Sequence, residues 1–155
     1  MRVVVAAVGR PKDGALAAAI RDYETRAARY WPLDVVEVKA ERAEEHAGAA
    51  VARTREGERL RDRTDTIRTR VACDVGGRSF TSEEFAAWLQ QQREQATDVA
   101  FLIGGAFGLD PALVAGSTMR LSLAPWTLPH ELARLVLAEQ LYRAGTIVRG
   151  EPYHK

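Results

Sequence analysis

The chain has 155 residues, 46% hydrophobic and 28% charged, the length and balance of one globular domain able to bury a core of its own. Its single cysteine, Cys73, excludes an internal disulfide and fits a reducing, cytoplasmic setting. No apolar run reaches the ~20 residues of a bilayer span, and residues 3–8 are too few for a secretory signal. The formal net charge of +1 leaves a nucleic-acid partner open, because clustering of cations decides that and their total does not.

In chain order, residues 2–8 read as a strand, about 15–30 as a helix and 33–38 as a second strand. A helix over about 43–63 follows, then a strand over 69–75, a helix over 82–95 and a fourth strand over 99–103. A short helix at 111–116, a fifth strand at 119–123 and a helix over about 129–145 complete the pattern. Short apolar runs mark the strands, and apolar residues three and four apart mark the helices. Thr81 and Glu84 have the spacing of a capping box, and Asp110 precedes Pro111 at a first helical position. Gly76-Gly77 and Gly104-Gly105 follow strands, where the chain is expected to turn sharply. Strand–helix alternation without repeats or linkers predicts one α/β domain over 1–155, a mainly parallel sheet with helices on both faces.

Two helices depart from the ordinary amphipathic form. Residues 53–70 hold seven arginines (Arg53, Arg55, Arg59, Arg61, Arg63, Arg68, Arg70) against Glu56, Glu58, Asp62 and Asp65, a local charge of +3. Two readings stand: a solvated face of Glu–Arg pairs, or an edge that contacts phosphates. In the closing helix, Leu132, Leu135, Val136, Leu137, Ala138, Leu141 and Ala144 spread around nearly the whole circumference. Such a helix must be buried on more than one side. A homodimer through this helix is expected, the alternative being a fully internal helix in a monomer.

Candidate site residues fall on loops after strands. Residues 102–109, LIGGAFGL, form a glycine turn whose missing Cβ atoms let a ligand approach the backbone. The spacing fits neither a dinucleotide fingerprint nor a P-loop, so a structural turn is an equal reading. Residues 122–128, SLAPWTL, make a proline-stiffened rim at the carboxyl end of a strand, where open α/β sheets bind ligands. His46, His130 and His154 lie far apart, so no metal site is expected. His130 stands in the first turn of a helix, where an imidazole can also simply cap or pack. Ser117, Ser122 and Thr127 have no acid–base partner at a readable spacing and no nucleophile elbow occurs, which argues against a covalent hydrolase. The tail RGEPYHK carries Arg149, Tyr153, His154 and Lys155, groups that gain a role only if the tail folds down.

With these segments placed, the chain resembles the RlmH (YbeA-like) family of ribosomal RNA methyltransferases, part of the SPOUT superfamily. The similarity runs through VVVAAVGRPKDGALAAAIRDYETRAARYW, IGGAFGL, TLPHELARLVLAEQLYRA and RGEPYHK, and so covers essentially the whole chain. The resemblance implies a C-terminal trefoil knot, an exception to the unknotted rule, and a homodimer. It implies S-adenosylmethionine bound in the knot by Cys73, Gly104, Gly105, Leu123, Ala124, Pro125, Trp126, Thr127 and Leu128, and no metal. Cys73 stands where the family often has a leucine-like residue, and Ala106-Phe107 where some members carry Pro-Glu.

The implied reaction is methylation at N3 of a pseudouridine in 23S ribosomal RNA, within the assembled ribosome. The tail is then expected across the partner subunit's cofactor site. Tyr153 would stack on the base, Arg143 would point to the same pocket, and His154, with His130 second, would accept the proton. A ribosome-binding module of the same fold without catalysis, and a SPOUT methyltransferase acting on transfer RNA, are the alternatives.

Overall fold

A computed structural model describes residues 1–42 and 48–154. His46, Lys155 and the start of the second expected helix lie outside the described residues. The strands are β1 (Val3–Val8), β2 (Leu33–Val38), β3 (Thr69–Ser79), β4 (Val99–Ile103) and β5 (Met119–Ser122). The helices are α1 (Gly14–Ala27), α2 (Gly48–Arg63), α3 (Ser82–Glu94), α4 (Pro111–Ala115) and α5 (His130–Val148), with a 3-10 turn at Pro152–His154. All strands run parallel in the order β2-β1-β4-β3-β5. The α/β sheet expected from the sequence is therefore present.

Burial follows from the strand sequences. Every residue of β1 and β4 is buried, as continuous apolar strands covered on both faces must be. Alternate residues of β1 serve opposite cores. Val3, Val5 and Ala7 meet Trp31, Phe85, Leu89, Phe101, Leu137 and Leu141 on one side. Val4, Ala6 and Val8 meet Leu60, Ile67, Leu102 and Leu113 on the other. Helices α1, α3 and α5 thus cover one face, and α2 and α4 the other. Among the described residues, no helix is long and apolar enough to cross a membrane.

The helix signals hold in part. Thr81 and Glu84 form the expected capping box, and Asp13 caps α1 by accepting the Leu16 N–H. Asp110 stands before Pro111 but makes no side-chain cap bond. Helix α5 packs against α1 and α3, and the Trp31 Nε1–H donates to the Leu141 carbonyl at 2.8 Å. Leu137, Ala138, Leu141 and Ala144 are buried, whereas Leu132 stays exposed and Leu135 and Val136 half-buried.

One expectation is corrected. Gly76-Gly77 does not end the third strand, which runs on to Ser79. Leu121 of β5 pairs with both Cys73 and Arg78, so residues 74–77 bulge out of the ladder between them. A Cβ on Gly77 would stand 2.6 Å from the Arg120 carbonyl carbon, and the bulge needs glycine for that close approach. A sharp turn and a bulge draw on the same property of glycine, and spacing alone does not separate them.

Candidate functional site

Parallel strands that end on one side leave a crevice beyond their carboxyl ends. Here the ends of β4, β3 and β5, adjacent in the sheet, frame an open cleft of about 250 Å³. Cys73, Asp74 and Val75 come from β3; Ile103, Gly104, Gly105, Gly108 and Leu109 from β4 and its turn. Leu123, Ala124, Trp126, Thr127 and Leu128 follow β5, and His130 and Ala133 belong to α5. Of the nine residues expected at a cofactor site, eight line this one cleft, and Pro125 alone does not. Asp74, Val75 and Ala133 lie outside the stretches to which the sequence points, whereas Ile103, Gly108 and Leu109 fall within residues 102–109. Gly108 was legible in the spacing of GGAFGL, and the others carry no signal beyond their neighbours.

The glycine turn is locked by backbone contact. Gly105 and Gly108 form an antiparallel bridge, the Gly108 N–H donates to the Gly105 carbonyl at 3.1 Å, and Gly108 has φ +80°. A Cβ on Gly104 would stand 2.5 Å from the Gly108 carbonyl carbon, with no flexible side chain to give way. Gly104→Ala is therefore expected to open the turn and weaken ligand binding at the cleft by about tenfold or more, read by calorimetry against an unchanged circular-dichroism spectrum. Binding as tight as in the parent protein would show that the turn does not shape the site.

The remaining walls are fixed by short contacts. Ser122 Oγ donates to the Ala124 carbonyl at 2.7 Å and holds the rim, from which Trp126 projects 79% exposed. Cys73 is half-buried, and desolvation pushes its thiol up to about 12, so it is a neutral, apolar surface at physiological pH. Arg120 pairs with Asp74 and pins the bulge. The Lys12 N–H donates to Glu131 at 2.7 Å, tying the loop after β1 to the first turn of α5 beside His130. No group of three metal-ligating side chains occurs among the described residues.

The other expected site residues form a separate patch. Arg143 and Tyr153 do not line the chain's own cleft. The tail does fold down: Gly150, at φ +69°, reverses the chain and the Glu151 N–H donates to the Thr146 carbonyl at 2.8 Å. Tyr30 donates its hydroxyl to Glu151, and the Arg149 guanidinium lies 4.6 Å from the centre of the Tyr30 ring. Tyr153 packs its ring 4.5 Å from that of Tyr142 and donates to Glu139 at 3.1 Å, with the Tyr23 hydroxyl 3.3 Å away. Desolvation and these contacts raise the Tyr153 phenol above its ordinary value. Arg143 bonds Glu139 at 2.9 Å and stands 4.9 Å from the centre of the Tyr153 ring. The backbone of His154 closes the 3-10 turn. His130 and the Arg143–Tyr153 pair therefore belong to two places on one subunit.

The arginine-rich stretch is likewise divided. Arg55 and Arg59 of α2 pair with Glu41. Arg61, Arg63 and Arg68 are exposed at the far end, by the beginning of β3 and away from the cleft. The paired side is thus realised toward Glu41, and beyond it Arg61, Arg63 and Arg68 share an exposed surface with Asp62 and Asp65.

The family description "Predicted SPOUT methyltransferase" matches residues 1–154. A relative from Gemmatimonas aurantiaca called ribosomal RNA large subunit methyltransferase H is 61% identical over 155 residues, 100% of each chain. A relative of the same name from Clostridium beijerinckii is 35% identical over 159 aligned residues, again 100% of each. The crystal structure of a probable methyltransferase from Bordetella pertussis Tohama I superposes with a TM-score of 0.59 over 92% of this chain and 95% of that one. At 17% identity, that superposition speaks for the fold alone. A match from end to end, over a sheet whose strand ends gather the glycine turn and the rim into one cleft, makes this chain a member of the SPOUT methyltransferase family.

Proposed function

We propose that the chain methylates N3 of a pseudouridine in 23S ribosomal RNA, drawing the methyl group from S-adenosylmethionine and working as a homodimer on the assembled ribosome. The reading is carried by 61% identity, over all 155 residues, to a relative named for large-subunit ribosomal RNA methylation. The chemistry of the cleft agrees with that cofactor. Ile103, Leu109, Leu123, Leu128 and the neutral Cys73 offer apolar surface to a purine. Gly104, Gly105 and Gly108 bring backbone to the cleft wall with no side chain between it and the polar edges of the base. When bound, S-adenosylmethionine supplies a methyl group already activated on a sulfonium.

The protein's share is then alignment and removal of one proton. The self-closed glycine turn and the Ser122–Ala124 rim hold the ligand space rigid, and fixed positioning supplies a large part of such a barrier. His130, at the wall of the cleft, is one candidate to accept the N3 proton. The second set comes from the partner. Tyr153 and Arg143 form one unit on a patch apart from the subunit's own cleft, which supports a site completed between two copies. The partly exposed Leu132, Leu135 and Val136 of α5 supply apolar surface for that association. In the dimer the tail brings Tyr153 to stack on the target base, a contact worth roughly 1–3 kcal/mol. His154 stands beside it as the preferred proton acceptor. The C-terminal segment carries the knot that the family resemblance implies.

Methyl transfer from labelled cofactor tests the reading. Ribosomes lacking the modification are expected to be labelled, and ribosomes lacking the pseudouridine itself are expected to stay unlabelled. Equal labelling of both sets, or full activity from a protein that sediments as a monomer, would overturn it.

A further inference from the structure

A carboxyl that methyl transfer does not use lies behind the glycine turn. Glu56, on α2, is only 3% exposed. Its Oε1 accepts the Glu41 N–H at 3.0 Å, whereas its Oε2 is buried with no hydrogen-bond partner among the described residues. Buried polar atoms are nearly always paired, so an orphan beside a ligand cleft calls for a reason. A Cβ on Gly105 would stand 3.3 Å from Oε2 and 3.4 Å from Oε1. Gly105 itself lines the cleft. Only a backbone without a side chain therefore separates this carboxyl from the ligand space.

The charges around it leave the group undecided. Glu41 faces it from the segment after β2, Arg59 from its own helix, His130 from α5, and Asp110 packs against the adjoining Gly57. Arg59 is committed to the Glu41 carboxylate and the Lys39 carbonyl. Desolvation raises Glu56 above the usual carboxylate range, while the Glu41 amide, Arg59 and His130 pull the other way. A positive charge placed in the cleft would push the group further toward its carboxylate.

We infer that Glu56 distinguishes the cationic methyl donor from the neutral thioether left after transfer, releasing its proton when a sulfonium occupies the cleft and regaining it once the methyl has gone. This rests on the proposal that the cleft takes S-adenosylmethionine. A cation across the turn, in a medium of low dielectric, favours the carboxylate. Transfer of the methyl group removes that positive charge and leaves a buried anion with too few partners. The product complex must then take a proton from solvent or come apart, which favours exchange of spent cofactor. The sign follows from linkage. Because the sulfonium lowers the Glu56 pKa, its affinity rises with pH through the range where the free protein loses that proton, and affinity for the thioether does not.

Calorimetry on the whole protein, in buffers of equal pH and different ionisation enthalpy, counts the protons. S-adenosylmethionine is expected to release protons on binding and S-adenosylhomocysteine to release none. The affinity for the sulfonium is expected to climb by up to about tenfold per pH unit. In Glu56→Gln, a neutral side chain of the same shape, the difference in proton count vanishes and the preference for the sulfonium narrows by about threefold to tenfold. Any contribution from His130 survives that substitution and is thereby separated. Equal proton counts for the two ligands, or a difference undiminished in Glu56→Gln, would overturn the inference; the first arm reads the parent protein alone and stands even if the variant fails to fold. Binding of neither ligand would remove the cofactor reading and this inference with it.

Discussion

Removing residues 151–155 is expected to abolish methyl transfer to ribosomes while leaving affinity for S-adenosylmethionine within about threefold of the parent. The expectation comes from where the tail is and where it is not. Among the described residues, no part of the tail lines the chain's own cleft, so cofactor contacts there survive its loss. The tail's own attachments, Glu151 to Tyr30 and Tyr153 to Glu139 and Tyr142, hold it on the α1–α5 face. Losing them exposes part of two tyrosine rings, which costs about 1–2 kcal/mol of stability and does not threaten the fold. Tyr153→Phe separates the two roles of that residue, keeping the ring for stacking and giving up the bonds to Glu139 and Tyr23. Labelled methyl incorporation reads the activity, and calorimetry the binding. A truncated protein that still methylates ribosomes would sink the composite site, and one that no longer binds cofactor would place the tail at its own subunit's cleft.

The split between cleft and tail also marks how much of the site was legible in the sequence. Loops that follow parallel strands must open on one side of a sheet, so Cys73, Gly104 and Leu123 could be brought together from strand order alone. Their neighbours Asp74, Ile103 and Leu109 join the wall only because of side-chain direction, which a run of apolar letters does not encode. The bulge at residues 74–77 went unread for a similar reason: glycine permits a turn and a close approach equally well. The tail was legible as chemistry, since tyrosine, histidine and arginine at a chain end are wasteful unless used, yet its docking on Tyr30 and Tyr142 joins residues more than a hundred positions apart or on another turn of α5. Glu56 was hidden more thoroughly. Among seven arginines it read as one half of a surface pair, and only the packing of α2 under the glycine turn makes it a buried acid.

Arg134 was hidden in the same way, and its loss is expected to destabilise the fold as much as truncating a core side chain. It lies one helical turn beyond His130 on α5 and is 6% exposed. Its Nε and Nη2 donate to Glu24 of α1 at 2.8 and 3.2 Å, and its Nη1 donates to Glu37 of β2 at 2.8 Å. Desolvation works against the charge, but the bonds to both carboxylates hold the guanidinium pKa above its ordinary value. One side chain thus fastens the start of the last helix to a second helix and an edge strand. Among the described residues, Arg134→Ala leaves Glu24 without an ion-pair partner and Glu37 with Arg10 alone, 3.1 Å away. Breaking a fully buried pair costs about 3–5 kcal/mol, and partial exposure of the two carboxylates argues for the lower end, about 3 kcal/mol. For a chain of this length, that lowers the thermal midpoint by about 6–12 °C. Replacing the charges together, as in Arg134→Met with Glu24→Leu, is expected to recover a large part of the loss, because the fault lies in the stranded anion rather than in the missing bonds. Thermal denaturation of both variants checks this. A single substitution that leaves the midpoint unmoved, or a double one that falls further, would show that the triad does not hold α5 in place. His130 would then owe its position at the cleft to apolar packing and to the Lys12–Glu131 bond beside it.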